Sequence, residues 1–219
     1  MNIQYYGDYC FKISTKPAGR ATEDVIVWTD PPEKGTGLRS PYGQADIVFV
    51  THGDSQESGK SFKGNPVILD GPGEYSVRGI TAFGFPTYRD AAEGAERGNN
   101  TVFVFESEDI HVAFLGAIGH ELDPDTLDKM NGVDVLFIPA GGNDTIAAKT
   151  AAEMTRKIEP GIVIPMHYQI PGLSLAVGNE QEFCKAMSSC PQETVSKLNL
   201  KKKDLEGKML QVVLLERGA

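Results

Sequence analysis

The stretch from Val135 to Ile164 places the tightest limit on what this chain can fold into. Val135 to Ile138 is a short apolar run, and Pro139-Ala-Gly-Gly-Asn-Asp-Thr145 reads as a loop. An alanine-rich helical pattern follows from about Ile146 to Ile158 and stops ahead of Pro160, after which Ile162 to Ile164 is apolar again. A strand, loop, helix and strand in this order put the two strands parallel in one sheet, joined by a right-handed crossover. The succession belongs to an α/β architecture.

Upstream, short β-type runs dominate: Cys10 to Ser14, Val25 to Thr29, Ile47 to Val50, Val67 to Leu69, Tyr75 to Phe83, Thr101 to Phe105 and His111 to Leu115. Most are bounded by Gly, Pro, Asp or Asn, as strand ends should be. After Leu122, Asp123-Pro124-Asp125 supplies an N-cap with proline at the first helical position; Leu127 and Met130 share a face, and Gly132 can close the helix. A further helix is expected near Glu180 to Met187 and a last strand over Met209 to Leu215. Tyr88 to Asn100 carries Arg89, Asp90, Glu93, Glu96 and Arg97 with two glycines and two asparagines, and reads as a mobile surface loop. With no internal repeat, low-complexity tract or linker, 219 residues suit one domain, 1–219.

Lys and Arg total 21 against 30 Asp and Glu, so the net charge of −9 repels nucleic acid and anionic membrane surfaces. Lys201-Lys202-Lys203 is followed at once by Asp204 and Glu206 and reads as a solvated turn. There is no leader-like N-terminus and no run of roughly 18 apolar residues. The expectation is a cytoplasmic protein that binds neither nucleic acid nor membrane. Cys10, Cys184 and Cys190 are odd in number and lack a C-x-x-C spacing, which suggests neither a disulfide framework nor a thiolate zinc site. No Gly-x-Ser-x-Gly element is present, and Ser58-Gly-Lys-Ser61 lacks the strand-turn-helix setting of a nucleophile. The Pro139-Ala-Gly-Gly loop lacks the lysine and spacing of a phosphate cradle and reads as a packing turn.

Three segments together carry a resemblance. They are Ala45-Asp-Ile-Val-Phe-Val-Thr-His52; Asn100-Thr-Val-Phe-Val-Phe through Phe114-Leu-Gly-Ala-Ile-Gly-His120; and Asp134-Val-Leu-Phe-Ile-Pro-Ala-Gly-Gly through Ile164-Pro-Met-His-Tyr168. With Gly71-Pro-Gly-Glu-Tyr75 and Lys197-Leu-Asn-Leu, the chain resembles the metallo-β-lactamase superfamily along nearly its whole length. The likeness is greatest to its small zinc-dependent hydrolases related to ascorbate-6-phosphate lactonase. The resemblance implies an αβ/βα four-layer sandwich, two mixed β-sheets face to face with helices outside, and a site on loops at one edge.

Intact members carry His-x-His-x-Asp-His after the strand, aiming imidazoles and a carboxylate at one or two zinc ions. This chain reads His52-Gly-Asp54-Ser-Gln56-Glu57 there. The histidine expected after Thr87-Tyr88 is Arg89, and the bridging aspartate is Ala117 in Leu115-Gly-Ala-Ile-Gly-His120. Of the seven former metal-site positions only His52 and His167 are unchanged. His120 is a candidate for bracing the loop behind the site rather than for ligation.

Two readings follow. The favoured one is a catalytically silent homologue with a binding or structural role, needing no cofactor, in which the Arg89 guanidinium stands in for the missing cation. Its partner would be an unidentified small molecule or protein, and homo-oligomers accord with the superfamily's habit of association. The alternative is a metal-dependent hydrolase of lactones, esters or phosphodiesters. One divalent Zn, Mn or Fe ion would then be held by His52, Asp54, Glu57 and His167.

Overall fold

A computed structural model describes residues 1–17, 23–53, 62–191 and 193–218. Six strands form the first sheet: β1 (Asn2–Gly7), β2 (Cys10–Thr15), β3 (Val25–Thr29), β4 (Ile47–Phe49), β5 (Val67–Leu69) and β12 (Leu198–Asn199), in the order β12-β1-β2-β3-β4-β5. β12 through β3 pair antiparallel, and β3, β4 and β5 run parallel. Seven strands form the second: β6 (Gly73–Val77), β7 (Ile80–Tyr88), β8 (Asn99–Ser107), β9 (Ile110–Phe114), β10 (Val135–Pro139), β11 (Ile162–Met166) and β13 (Gln211–Val212). Its β6–β9 half is an antiparallel meander, and its β9, β10, β11 and β13 are parallel. Among the described residues three α-helices accompany them: α1 (Pro124–Asp128), α2 (Ala148–Ile158) and α3 (Glu180–Met187). This is the metallo-β-lactamase sandwich, and β10-α2-β11 is the parallel crossover expected over Val135 to Ile164. No described helix is long and apolar enough to cross a membrane.

The alternation of side chains along each strand builds the core. Phe11 and Phe49 on the first sheet meet Phe103, Phe105 and Phe137 on the second, with Phe11–Phe137 ring centroids 4.6 Å apart and Phe49–Phe103 4.8 Å apart. The opposite face of the second sheet presents Leu115, Leu136, Ile138 and Val163 to Ala151, Ala152, Met154 and Ile158 of α2 and to Phe183 of α3. Each large side chain so buried contributes about 1.5–3 kcal/mol against conformational entropy. Behind the first sheet, Trp28 stacks on Phe62 at 5.0 Å. The helical layer expected on that side is not found among the described residues.

Several expectations need correcting. Tyr75 to Phe83 is not one strand but the β6–β7 hairpin, turning at Arg78 and Gly79, whose φ values are 55° and 83°. Positive φ at both positions suits a tight hairpin turn, but arginine does not signal it. β1 escaped notice although Ile3 and Tyr5 alternate inward. The last strand shrinks to Gln211–Val212, because the chain then crosses to the first sheet, bridging Tyr5 through Arg217. The loop after Tyr88 is built around a carboxylate rather than slack. Asp90 accepts backbone N–H bonds from Ala92, Gly94, Glu96 and Arg97 at 2.7–3.2 Å. Burial pushes this carboxyl up, but the four amides outweigh it and hold its pKa below the usual value. α1 starts where expected, with Asp123 accepting from the Thr126 N–H at 2.9 Å, but ends at Asp128 rather than at Gly132.

Candidate functional site

Loops following β1, β3, β4, β7, β10 and β11 converge at one end of the sandwich around a pocket of about 120 Å³. Asp8 and Tyr9 come from the β1–β2 turn, Asp30 and Glu33 from the loop after β3, and His52 from the loop after β4. Arg89, Asp144 and His167 follow β7, β10 and β11. Strand ends on a shared edge let side chains from distant parts of the sequence point into one space. Asp8, Asp30 and His167 all have positive φ, at 58°, 26° and 50°. Non-glycine residues in that region cost of order 1–3 kcal/mol each and cluster where a site over-determines them.

His167 is fully buried, and each ring nitrogen faces a carboxylate. Nδ1 lies 2.5 Å from Asp8 Oδ1, and Nε2 lies 2.7 Å from Asp144 Oδ1. A ring that donates from both nitrogens is an imidazolium. Burial alone would lower its pKa, but the hydrogen bonds to Asp144 and Asp8 outweigh that and raise it to about 9. Tyr9 stacks flat on the ring, centroids 4.3 Å apart and planes within 10°, an arrangement that favours a cation over the π face. The His167 backbone N–H also donates to Asp8 O at 3.0 Å, so one turn and one loop are fastened twice.

His52 is in the opposite state. Burial, then the positive charges of Arg89 and His167, push its pKa down to about 3. Its Nδ1 is 2.9 Å from Thr51 Oγ1, while the Thr51 hydroxyl donates to Asp30 Oδ2 at 2.6 Å and the Thr51 N–H donates to Asp30 Oδ1 at 2.7 Å. On the other side of the ring, Nε2 lies 3.7 Å from Glu33 Oε1. Burial pushes the Asp30 carboxyl up to about 7 against the two Thr51 hydrogen bonds.

Arg89 lines the same pocket, and its Nε is buried without a hydrogen-bond partner. Its backbone is held from several sides. The Arg89 N–H donates to Gly98 O at 3.0 Å, and the preceding Tyr88 N–H donates to His120 Nε2 at 3.0 Å. His120 Nδ1 lies 2.7 Å from Glu121 O, which fixes the tautomer, so His120 braces the strand end that carries Arg89. Ala117 is buried in the core, with its N–H on Asn100 Oδ1 at 2.9 Å. The glycines around it permit close approach: a Cβ on Gly116 would meet Thr51 at 2.4 Å, and one on Gly119 would meet Arg89 O at 2.1 Å. Gly119→Ala should therefore displace the Arg89 backbone and cost about 1–3 kcal/mol in urea unfolding, with shifted amide signals at Tyr88 to Asp90. Unchanged stability and spectra would contradict the contact.

The structure thus gathers His52, Arg89 and His167 about one pocket, places Ala117 in the core and sets His120 behind Arg89. Asp54, Gln56 and Glu57 lie outside the described residues. Sequence reasoning missed Asp8, Tyr9, Asp30, Thr51 and Asp144. Among the described residues, no group of three or more His, Cys, Asp or Glu is arranged to hold a metal ion. Both nitrogens of His167 are engaged by carboxylates, Nδ1 by Asp8 and Nε2 by Asp144.

The chain matches the β-lactamase superfamily domain over residues 2–167. The UPF0173 metal-dependent hydrolase of Listeria monocytogenes serotype 4a is 25% identical over 201 residues, covering 77% of this chain and 85% of that protein. The UPF0173 protein of Pyrococcus abyssi is 28% identical over 202 residues, covering 84% and 90%. Among solved structures, a Thermotoga maritima protein assigned to the Zn-dependent hydrolases of the metallo-β-lactamase superfamily superposes with a TM-score of 0.77. It shares 30% identity over 98% of both chains. An isothiocyanate hydrolase from Delia radicum gut bacteria shares the fold, at a TM-score of 0.66 and 9% identity over 100% and 97% of the chains. The fold, the convergence of loops on one pocket and these likenesses agree: the chain belongs to the metallo-β-lactamase superfamily and to its metal-dependent hydrolase relatives.

Proposed function

We propose that this chain is a catalytically silent member of its family, in which the former metal cleft is held by charge balance and serves a binding or structural role. The observation that carries this reading is the pair of carboxylates closed on His167. A hydrolytic zinc site requires neutral imidazoles with a free lone pair and a metal-bound water of lowered pKa. An imidazolium has no lone pair to offer. Asp8 and Asp144 close on His167, and Arg89 adds a permanent positive charge to a pocket that Asp30 and Glu33 also line. His52, neutral and tied to Thr51, then acts as a packing and hydrogen-bonding residue beside Tyr9, 5.4 Å away edge to face. A cytoplasmic location and an indifference to nucleic acid and membrane belong to the same reading, supported by the net charge of −9 and three free cysteines.

Elemental analysis of protein purified without chelator tests it, together with turnover assays on a lactone, an ester, a β-lactam and a phosphodiester. The expected result is no stoichiometric metal and no turnover. Stoichiometric metal with turnover, both lost in His52→Ala and His167→Ala, would overturn it in favour of an altered mononuclear hydrolase.

A further inference from the structure

The central pocket is too small to take an organic ligand, since about 120 Å³ falls below the few hundred Å³ that such sites occupy. A cavity of about 690 Å³ opens beside it. The same two loops contribute to both. The loop after β3 contributes Glu33 and Thr36 to the central pocket and Arg39 and Tyr42 to its neighbour; the loop after β11 contributes Leu175 to the first and Gly172 to the second. These loops are bound to each other, with Ser174 N–H donating to Thr36 O at 2.8 Å. A Cβ on Gly37 would sit 2.4 Å from Gly172 O, so the floor of the cavity is bare backbone at a fixed spacing.

Among the described residues, the charged side chains around this floor have one sign: Arg39 and Arg217 line the cavity and no described Asp or Glu does, in a chain whose net charge is −9. Arg217 is oriented by a 2.9 Å hydrogen bond from Nη1 to Pro171 O, which leaves the rest of its guanidinium available. No ion pair or hydrogen bond among the described residues engages Arg39. Tyr6 and Tyr42 supply flat faces, and Tyr42 is 87% exposed, unusual for an aromatic ring that packs on nothing. Guanidinium forks match the oxygens of carboxylates and phosphates, and tyrosine faces accept flat rings.

We infer that the cavity between the β3 and β11 loops, lined by Arg39, Arg217, Tyr6 and Tyr42, is a binding site for a small organic oxyanion carried on a flat ring. The arginines take a phosphate monoester or a carboxylate, and the tyrosines take the ring. The site stands apart from the metal question, because none of its lining residues is a former metal-site position.

Two ligands with the same ring and different head groups, phenyl phosphate and phenylacetate, are titrated into isotope-labelled protein, with benzyl alcohol as the uncharged control. Saturable shifts at Gly37, Gly172 and Gly218 are expected with at least one anion, and the stronger of the two identifies the head group. Tyr6 meets Trp28, the single tryptophan, edge to face at 4.7 Å, so its fluorescence should follow the same curve. Arg39→Gln, an exposed substitution that breaks no ion pair or hydrogen bond among the described residues, should weaken binding about tenfold or more. Tyr42→Ala should weaken it as well. Absence of shifts with both anions, equal binding of benzyl alcohol, or unchanged affinity in Arg39→Gln overturns the assignment.

Discussion

Asp8→Asn is expected to lower the unfolding free energy at pH 6 by about 3 kcal/mol, the low end of the cost of leaving a buried charge with one partner removed. Asparagine keeps the size of the side chain and tolerates the φ of 58° at this position, so the substitution removes little besides charge. The low end applies because Asp30, pushed up to about 7 chiefly by burial and in part by Asp8, is relieved when Asp8 becomes neutral. The pH dependence has a definite sign. His167 binds its proton more tightly folded than unfolded, about 9 against 6.5, so the stability it contributes is fully present below about pH 6.5 and is lost as pH rises through about 9. The gap between the parent and Asp8→Asn should therefore be widest near pH 6 and close toward pH 9. Ring signals of His167 should titrate near 9 in the parent and lower in the variant. A parent midpoint near 6.5, or a gap that does not change with pH, would rule out the doubly paired imidazolium.

The sandwich was legible because its signals are periodic or local. The apolar runs of β10 and β11 flank a helix pattern, and Asp123-Pro124 and the segment from Glu180 to Met187 carry capping and helical signals that the structure repeats nearly to the residue. β6 and β7 merged into one predicted strand because Arg78 gives no sign that it will adopt positive φ. The pocket was legible only where a family pattern named its positions. His52, Arg89 and His167 could be placed in that way, but Asp8, Asp30, Thr51 and Asp144 could not. Each is an ordinary turn residue in sequence. Asp8 and His167 are separated by 159 positions, and no local propensity reports a contact made by closing two sheets on each other. A faint signal was present in the Gly-Gly-Asn-Asp run that ends at Asp144, where an acidic residue sits in a loop after a parallel strand. The same loop reads equally well as a packing turn, which is also what Gly141 makes of it, its Cβ position lying 2.3 Å from His167 O.

Restoring the family's ligands with Asp54→His, Gln56→Asp, Glu57→His, Arg89→His and Ala117→Asp together should produce a chain that takes up zinc, where the parent, on the proposed reading, should take up none. The metal-free variant should be less stable than the parent, because position 117 is buried against Asn100 and a carboxylate there has no cation to face. Zinc should then raise its melting temperature. Uptake must also expel the proton of His167 and part its Nε2 from Asp144. With a pKa of about 9, the protonated ring outweighs the neutral one about a hundredfold at pH 7, a cost of about 3 kcal/mol to metal affinity. Affinity should therefore rise about tenfold per pH step between 7 and 9. Adding Asp144→Ala, which removes one of the two carboxylates holding that proton, should tighten zinc binding at pH 7 and matter much less at pH 9. Isothermal titration at the two pH values reads both effects. Zinc bound equally well at pH 7 and 9 would mean that His167 is not the obstacle. No uptake at pH 9 by either variant would mean that the loops carrying the seven positions have moved out of ligating range, and that more than ligand identity separates this chain from its metal-dependent relatives.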